Sequence, residues 1–352
     1  MERALTELID RIVPVDATWL AKAQARLDSL TKPPGSLGRL EELAARYVAI
    51  REEELPALPR KRVVVFAADH GVVAEGVSAY PQEVTYQMVY NFLRGGAGIN
   101  VLARQVGAEV EVVDLGVNHD FEPELPLVHR KVAYGTRNFA REPAMSREEA
   151  LKALWVGIER AKEAVAAGVG VLAAGDMGIG NTTAAAALGA IFTGRPVGAL
   201  TGRGTGIDDQ TLRHKVAVIN RALSLHRVDP HDPVGTLAAV GGLEIGGIAG
   251  LILGAAAARR PLVLDGFIAT AGALVAARLA PAVTDYLIAA HRSAEPGHQV
   301  MLDALRLQPL LVFGMRLGEG TGAALGMGLL EAGLRIYREM ATFAEAGVSE
   351  KA

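Results

Sequence analysis

Five times along its 352 residues the chain repeats one arrangement: a short apolar run, a polar or glycine-bearing loop, then a helical stretch of small residues. The runs start near Arg62 (RVVVFAADHG), Glu109 (EVEVVDLGV), Gly168 (GVGVLAAGDMGIGNTT), Pro261 (PLVLDGFIATAGALVAA) and Asp285 (DYLIAAHRSAEPG). Continuous apolar runs of this length suit strands buried on both faces of a parallel sheet whose crossovers are helices. The pattern predicts an α/β fold with a three-layer parallel sheet over residues 60–300. Ligands bind such sheets beyond the carboxyl ends of the strands. The polar residues after each run should therefore meet on one rim: Asp69 and His70, Asp114, Asp176 and Asn181, Asp265, and His291 to Glu295.

The two ends of the chain read differently. Residues 1–30, 36–50 and 326–346 are amphipathic and rich in Arg, Glu, Leu and Ala, with no strand between them. They predict a small helical domain made of residues 1–59 and 301–352, its C-terminal part carrying a Gly-Glu-Gly loop. Helix boundaries are marked in places. Ser146 and Glu149 have the spacing of a capping box, with Gly168 where that helix should stop. Pro81 should open the helix over QEVTYQMVYNFL and Gly95 close it. The most hydrophobic segment, Ile245 to Ala258, is shorter than the roughly 20 residues a membrane span needs, so it reads as a buried core helix.

Half the residues are apolar, and the excess is Ala, Gly, Val and Leu rather than aromatics, as close layering of helices on a sheet requires. Net charge is −3 with no long basic run, which argues against a nucleic-acid partner. The absence of cysteine excludes disulfides, thiolate nucleophiles and cysteine-bound metals. The N-terminus has scattered charges and no apolar core of a signal peptide, so a cytoplasmic enzyme is expected. Asp69 beside His70, and His291 seven residues before His298, do not match helical zinc spacings, so no metal site is expected. Ser293 lacks the Gly-x-Ser-x-Gly elbow of a hydrolase nucleophile.

Three glycine loops could carry chemistry. In GDMGIGNTT (175–183), Gly178 and Gly180 can bring main-chain N–H groups against a phosphate at a helix N-terminus, or simply make a tight strand-to-helix turn. TGRGTGIDD (201–209) holds Arg203, with Lys215 beyond it; it is either an anion loop or a solvated one. In LGEGTGAALGMGL (317–329), Glu319 stands between two glycines, where the backbone can take conformations closed to other residues and approach a ligand. The alternative is an exposed turn.

Taken together these loops resemble the nicotinate-nucleotide–dimethylbenzimidazole phosphoribosyltransferase family. The matching stretches, in family order, are KPPGSLGRLE (32–41), ADHGV (68–72), YPQEVTYQMVYNFLRGGAGINVLAR (80–104), GDMGIGNTT, TGRGTGIDD, LDGFIATAGAL (264–274), AHRSAEPGH (290–298) and RLGEGTGAAL (316–325). The resemblance implies a Rossmann-like large domain, a homodimer, no cofactor, and two small-molecule substrates, nicotinate mononucleotide and 5,6-dimethylbenzimidazole. It implies that Glu319 is the general base. Ser78, Tyr80, Gln87, Met177, Met315 and Leu317 would line the benzimidazole pocket. Gly178, Ile179, Gly180, Asn181, Gly204, Lys215 and Ser293 would hold ribose phosphate and nicotinate, with Arg203 and Asp265 organising these loops. Asp176 stands where the family commonly has Glu, and a hydrogen bond to ribose is expected of it. Competing readings are a transferase using another aromatic or phenolic acceptor, and a catalytically silent nucleotide-binding protein.

Overall fold

The computed structural model describes residues 1–349, so the last three residues of the expected helical domain lie outside it. One sheet of six strands runs through the molecule: β1 (Arg60–Ala68), β2 (Ala108–Gly116), β3 (Val128–His129), β4 (Val169–Met177), β5 (Leu262–Leu264) and β6 (Leu287–Ala289). All neighbours are parallel, in the order β3-β2-β1-β4-β5-β6. All five apolar runs form strands. β3 gives no signal in the sequence, because two residues are too few to make a periodic pattern. The strand order reverses between β1 and β4, and the crevice beyond their carboxyl ends is the place where such sheets bind ligands.

Side chains along β1 alternate between two cores. Val64 and Phe66 join one face and Val63, Val65 and Ala67 the other, as a strand buried on both sides requires. The first face is covered by the helices Arg147–Ala166, Leu243–Ala257 and Phe267–Leu279. Glycine lets two of these touch backbone to backbone. A Cβ on Gly157 would lie 1.9 Å from the Gly247 carbonyl oxygen, and one on Gly250 would lie 1.9 Å from that of Leu154. That contact is what the small-residue composition serves. The helix Leu243–Ala257 is the segment read as a buried core helix, and no helix among the described residues is long and apolar enough to cross a membrane.

The second face is covered by Ala17–Ser29, Arg39–Arg51, Val84–Leu93, Gly98–Val106 and Thr321–Glu339. Helices from both ends of the chain thus pack together, and their core is continuous with the sheet. The N-terminal amphipathic stretch forms two helices, Glu2–Ile9 and Ala17–Ser29, instead of one. Pro14 lies between them and cannot donate to a helical ladder, and Asp16 restarts the helix by accepting the Thr18 N–H at 2.8 Å. The Ser146–Glu149 capping box is present, with Gly168 at φ +82 just past the helix end. Gly95, at φ +78, stops the helix Val84–Leu93, but that helix begins at Val84, three residues after Pro81.

Candidate active site

At the carboxyl rim of β1, β4, β5 and β6 lies a cavity of about 470 Å³. Three loops build most of it, and each follows directly from local backbone geometry.

The first loop leaves β4. Asp176 is at the end of that strand, and Gly180, at φ +94, is the left-handed residue from which the helix Asn181–Thr193 starts without a side-chain cap. Gly178 approaches β1 so closely that a Cβ would lie 2.2 Å from the Ala68 carbonyl oxygen. The Ile179 N–H is not available to a ligand, because it donates to the buried Thr85 Oγ1 at 3.1 Å. Asn181 Nδ2 donates to Asp176 Oδ2 at 3.0 Å. Burial, then the neighbouring Asp265 and Glu244 carboxylates, hold the Asp176 carboxyl well above the usual carboxylate range, with Glu319 adding to the effect.

The second loop carries Glu319. Gly318, Glu319 and Gly320 are consecutive left-handed residues, at φ +83, +64 and +91. For a residue with a side chain this conformation costs about 1–3 kcal/mol. It is held by Asp265, at the end of β5, which accepts the N–H groups of Gly320 at 3.1 Å and Ala323 at 3.0 Å. Two hydrogen bonds to a carboxylate, each worth about 1.5–3 kcal/mol, outweigh that strain. The backbone of Glu319 rests on β4, where a Cβ on Gly175 would lie 2.2 Å from the Glu319 carbonyl oxygen. Its side chain is buried (4% exposed), and Oε2 accepts the Ile99 N–H at 3.1 Å in the first turn of the helix Gly98–Val106. Burial raises the Glu319 pKa above 4.5; the hydrogen bonds from Ile99 and Gly98 oppose this and the Asp265 charge adds to it.

The third loop, residues 201–208, is pinned at Gly204, whose N–H donates to Glu295 Oε1 at 3.1 Å and whose carbonyl accepts from Arg316 Nη1 at 2.7 Å. Thr205 Oγ1 accepts the Ala79 N–H at 3.0 Å and meets Ser78 Oγ at 3.3 Å, tying this loop to the 77–80 segment. Beneath it the buried Lys215 Nζ donates to Thr182 Oγ1 at 2.7 Å. Burial pushes the Lys215 amine down to about 8, opposed by Glu295. Ser293 is supported from behind. Its N–H donates to His298 Nδ1 at 2.8 Å, and burial pushes His298 down to about 3, which keeps that nitrogen an acceptor.

Of the residues expected from sequence, Ser78, Tyr80, Asp176, Met177, Gly178, Ile179, Gly180, Asn181, Gly204, Ser293, Leu317 and Glu319 line this one cavity. Lys215 and Asp265 stand one contact behind it. Three residues fall elsewhere. Gln87 is exposed and outside the lining, while Val84 and Met88, one helical turn apart, take the lining positions of its helix. Met315 contributes its carbonyl to the Ala294 N–H at 2.9 Å. Arg203 is half exposed, with its guanidinium on the Ile207 carbonyl and Asp209. Of the rim residues, Asp69 accepts the Asn118 N–H, Asp114 pairs with Lys131 at 2.9 Å, and His70 is fully buried against Glu244 at 2.7 Å. None of the three lines the cavity. The lining also includes Thr205, Phe267, Ile268 and Arg316, which sequence reasoning does not single out, and His291 and Glu295, which it takes only as rim residues. Arg316 stands inside a quoted motif; Phe267 and Ile268 give no signal because apolar residues after a strand also read as core.

The family model described as phosphoribosyltransferase matches residues 12–348. Nicotinate-nucleotide–dimethylbenzimidazole phosphoribosyltransferase of Geobacter sulfurreducens is 63% identical over 346 residues, 98% of each chain. The protein of the same name from Chloroflexus aggregans is 60% identical over 347 residues, 99% of this chain and 98% of its own. The crystal structure of CobT from Thermus thermophilus superposes with a TM-score of 0.91 at 54% identity, over 95% of this chain and 100% of that one. A cavity at the strand-order reversal, a carboxylate held in a strained loop and full-length similarity lead to one conclusion: the chain belongs to the nicotinate-nucleotide–dimethylbenzimidazole phosphoribosyltransferase family.

Proposed function

We propose that this enzyme transfers the 5-phosphoribosyl group of nicotinate mononucleotide to 5,6-dimethylbenzimidazole, giving α-ribazole 5′-phosphate and nicotinate with inversion at the anomeric carbon. The observation that carries this reading is Glu319, a buried carboxylate on the cavity wall whose pKa is raised by burial. The donor's ring is a pyridinium, so the carbon–nitrogen bond breaks with its electron pair returning to a neutral ring nitrogen, and no acid is needed. One benzimidazole nitrogen attacks the anomeric carbon while the other loses its proton to Glu319, a general-base role worth about 10²–10⁴-fold. A less solvated, more basic carboxylate suits that task.

The other site roles belong to the same proposal. Val77, Val84, Met88, Met177 and Leu317 offer an apolar wall to a flat base, with Ser78 and Tyr80 at its mouth. Gly178, Gly180, Asn181, Gly204 and Ser293, with Lys215 behind them, hold the ribose phosphate. Asp176, in its neutral form, donates a hydrogen bond to the sugar. Exposed Leu317 on the cavity lining, with exposed Val312 and Phe313 a few residues before it in the chain, suits a homodimer in which the partner covers the site. The proposal keeps the division into residues 60–300 and a helical unit of both termini, and a cytoplasmic location. Because the base wall is apolar, where a methylene is worth only about 1–3 kcal/mol, related aromatic acceptors should also react. Incubation with nicotinate mononucleotide and dimethylbenzimidazole, followed by mass spectrometry, should give α-ribazole phosphate; wild-type enzyme that forms none refutes the reading.

A further inference from the structure

The cavity is poorly matched in charge to the donor proposed for it. Nicotinate mononucleotide brings a phosphate and a carboxylate, yet the lining contains three carboxyl groups: Asp176, Glu295 and Glu319. Lys215 lies behind Thr182, and burial weakens its hold on its proton. Among the lining residues one fixed cation remains, Arg316, which stands just ahead of the strained loop that begins at Gly318.

Its placement is specific. Arg316 Nη1 donates to the Gly204 carbonyl at 2.7 Å, and a Cβ on Gly204 would lie 3.5 Å from Lys215 Nζ. Arg316 and Lys215 therefore flank the same glycine. The Gly204 N–H is already engaged by Glu295, which fixes where that glycine sits. A guanidinium has five N–H donors in a planar fork, and the Gly204 carbonyl occupies one. Arg316 is exposed at the cavity lining and, among the described residues, makes no ion pair, so its remaining donors have no carboxylate of their own. A planar fork of this kind matches phosphate oxygens in pairs, which a lysine cannot do.

We propose that Arg316 binds the phosphate of the ribosyl donor beside Gly204, near Lys215, making it a specificity-determining residue for phosphorylated donors. This rests on the proposed reaction.

The test compares ligands that differ by one anionic group. Binding of nicotinate mononucleotide, nicotinamide mononucleotide and nicotinate riboside is measured by calorimetry for wild type, Arg316→Gln and Arg316→Lys. Arg316→Gln should weaken both mononucleotides by about 10- to 100-fold, the worth of a hydrogen bond to a charged group. It should leave the riboside and the KM for dimethylbenzimidazole unchanged. Arg316→Lys should recover part of the loss. An equal loss for mononucleotide and riboside would make Arg316 only a latch on Gly204 and overturn the proposal. A loss confined to the two nicotinate ligands would place the contact on the carboxylate and overturn it too. Wild-type enzyme that binds riboside as tightly as mononucleotide would refute the proposed donor itself, a failure distinct from either.

Discussion

Two loops in this molecule share a turn geometry and differ in how their N–H groups are satisfied. Gly178–Gly180 and Gly318–Gly320 each end in a left-handed glycine, at φ +94 and +91, from which a helix begins, and both loops line the same cavity. In the first, the middle residue is Ile179, and the helix N-terminus carries no side-chain cap. In the second, the middle residue is Glu319, itself left-handed, and Asp265 occupies the N–H groups of Gly320 and Ala323. An uncapped helix start attracts an anion. A start already satisfied by a carboxylate does not, and can instead present a carboxylate of its own. The partner supplied from outside the loop, and not the glycines, decides which.

The largest expected effect breaks the second loop's chemistry while keeping its shape. Glu319→Gln should lower kcat by about 100-fold or more with both KM values near wild type, read by steady-state kinetics with chemistry rate-limiting. Near-normal kcat would remove Glu319 from the role of base. The acid limb of the wild-type pH profile should lie above the usual glutamate range, because burial raises the Glu319 pKa and protonation removes the base.

Asp265→Asn tests what separates the loops. An amide has one acceptor oxygen for two N–H groups, so Glu319 should be misplaced and kcat fall on the order of 10–100-fold. Removing the Asp265 charge also removes one cause of the raised Glu319 pKa, so the acid limb should move to lower pH. A fall in kcat without that shift would leave Asp265 a purely structural role.

Lys215→Ala addresses the first loop. It should raise the KM for nicotinate mononucleotide about 10-fold, the order of one charged hydrogen bond, and that for dimethylbenzimidazole much less. Equal effects on both substrates would move the phosphate away from this loop.

The smallest effect is on stability. The Asp176 pKa is raised in the fold, so the cost of its charge is absent at acid pH and grows as pH rises above 3.8. Asp176→Asn removes that cost and can still accept from Asn181. Its melting temperature should exceed wild type by about 1–2 °C at pH 8 for each kcal/mol relieved, and the gap should close near pH 4. A gap that is independent of pH would mean that Asp176 is not held neutral by its surroundings.

Much of this is legible in the chain itself. Short β-branched apolar runs, each followed by a polar or glycine loop and a helical stretch, make five strands and their parallel sense readable, since that repeat suits strands buried on both faces with helical crossovers. The glycines on both sides of Glu319 mark a backbone free to take left-handed conformations, though by themselves they fit an exposed turn equally well. What the sequence could not contain is partnership at long range. Thr85 consumes the Ile179 N–H from 94 residues away, and Asp265 satisfies Gly320 from 55. Gln87 and Met88 are adjacent in sequence, yet only Met88 lines the cavity, because a helix turns about 100° per residue and its orientation is set by packing. Local pattern determined which segments are strands, helices and tight loops. The tertiary structure alone decided which N–H groups stay available and which carboxyls lose their solvent, because both depend on partners brought from distant parts of the chain.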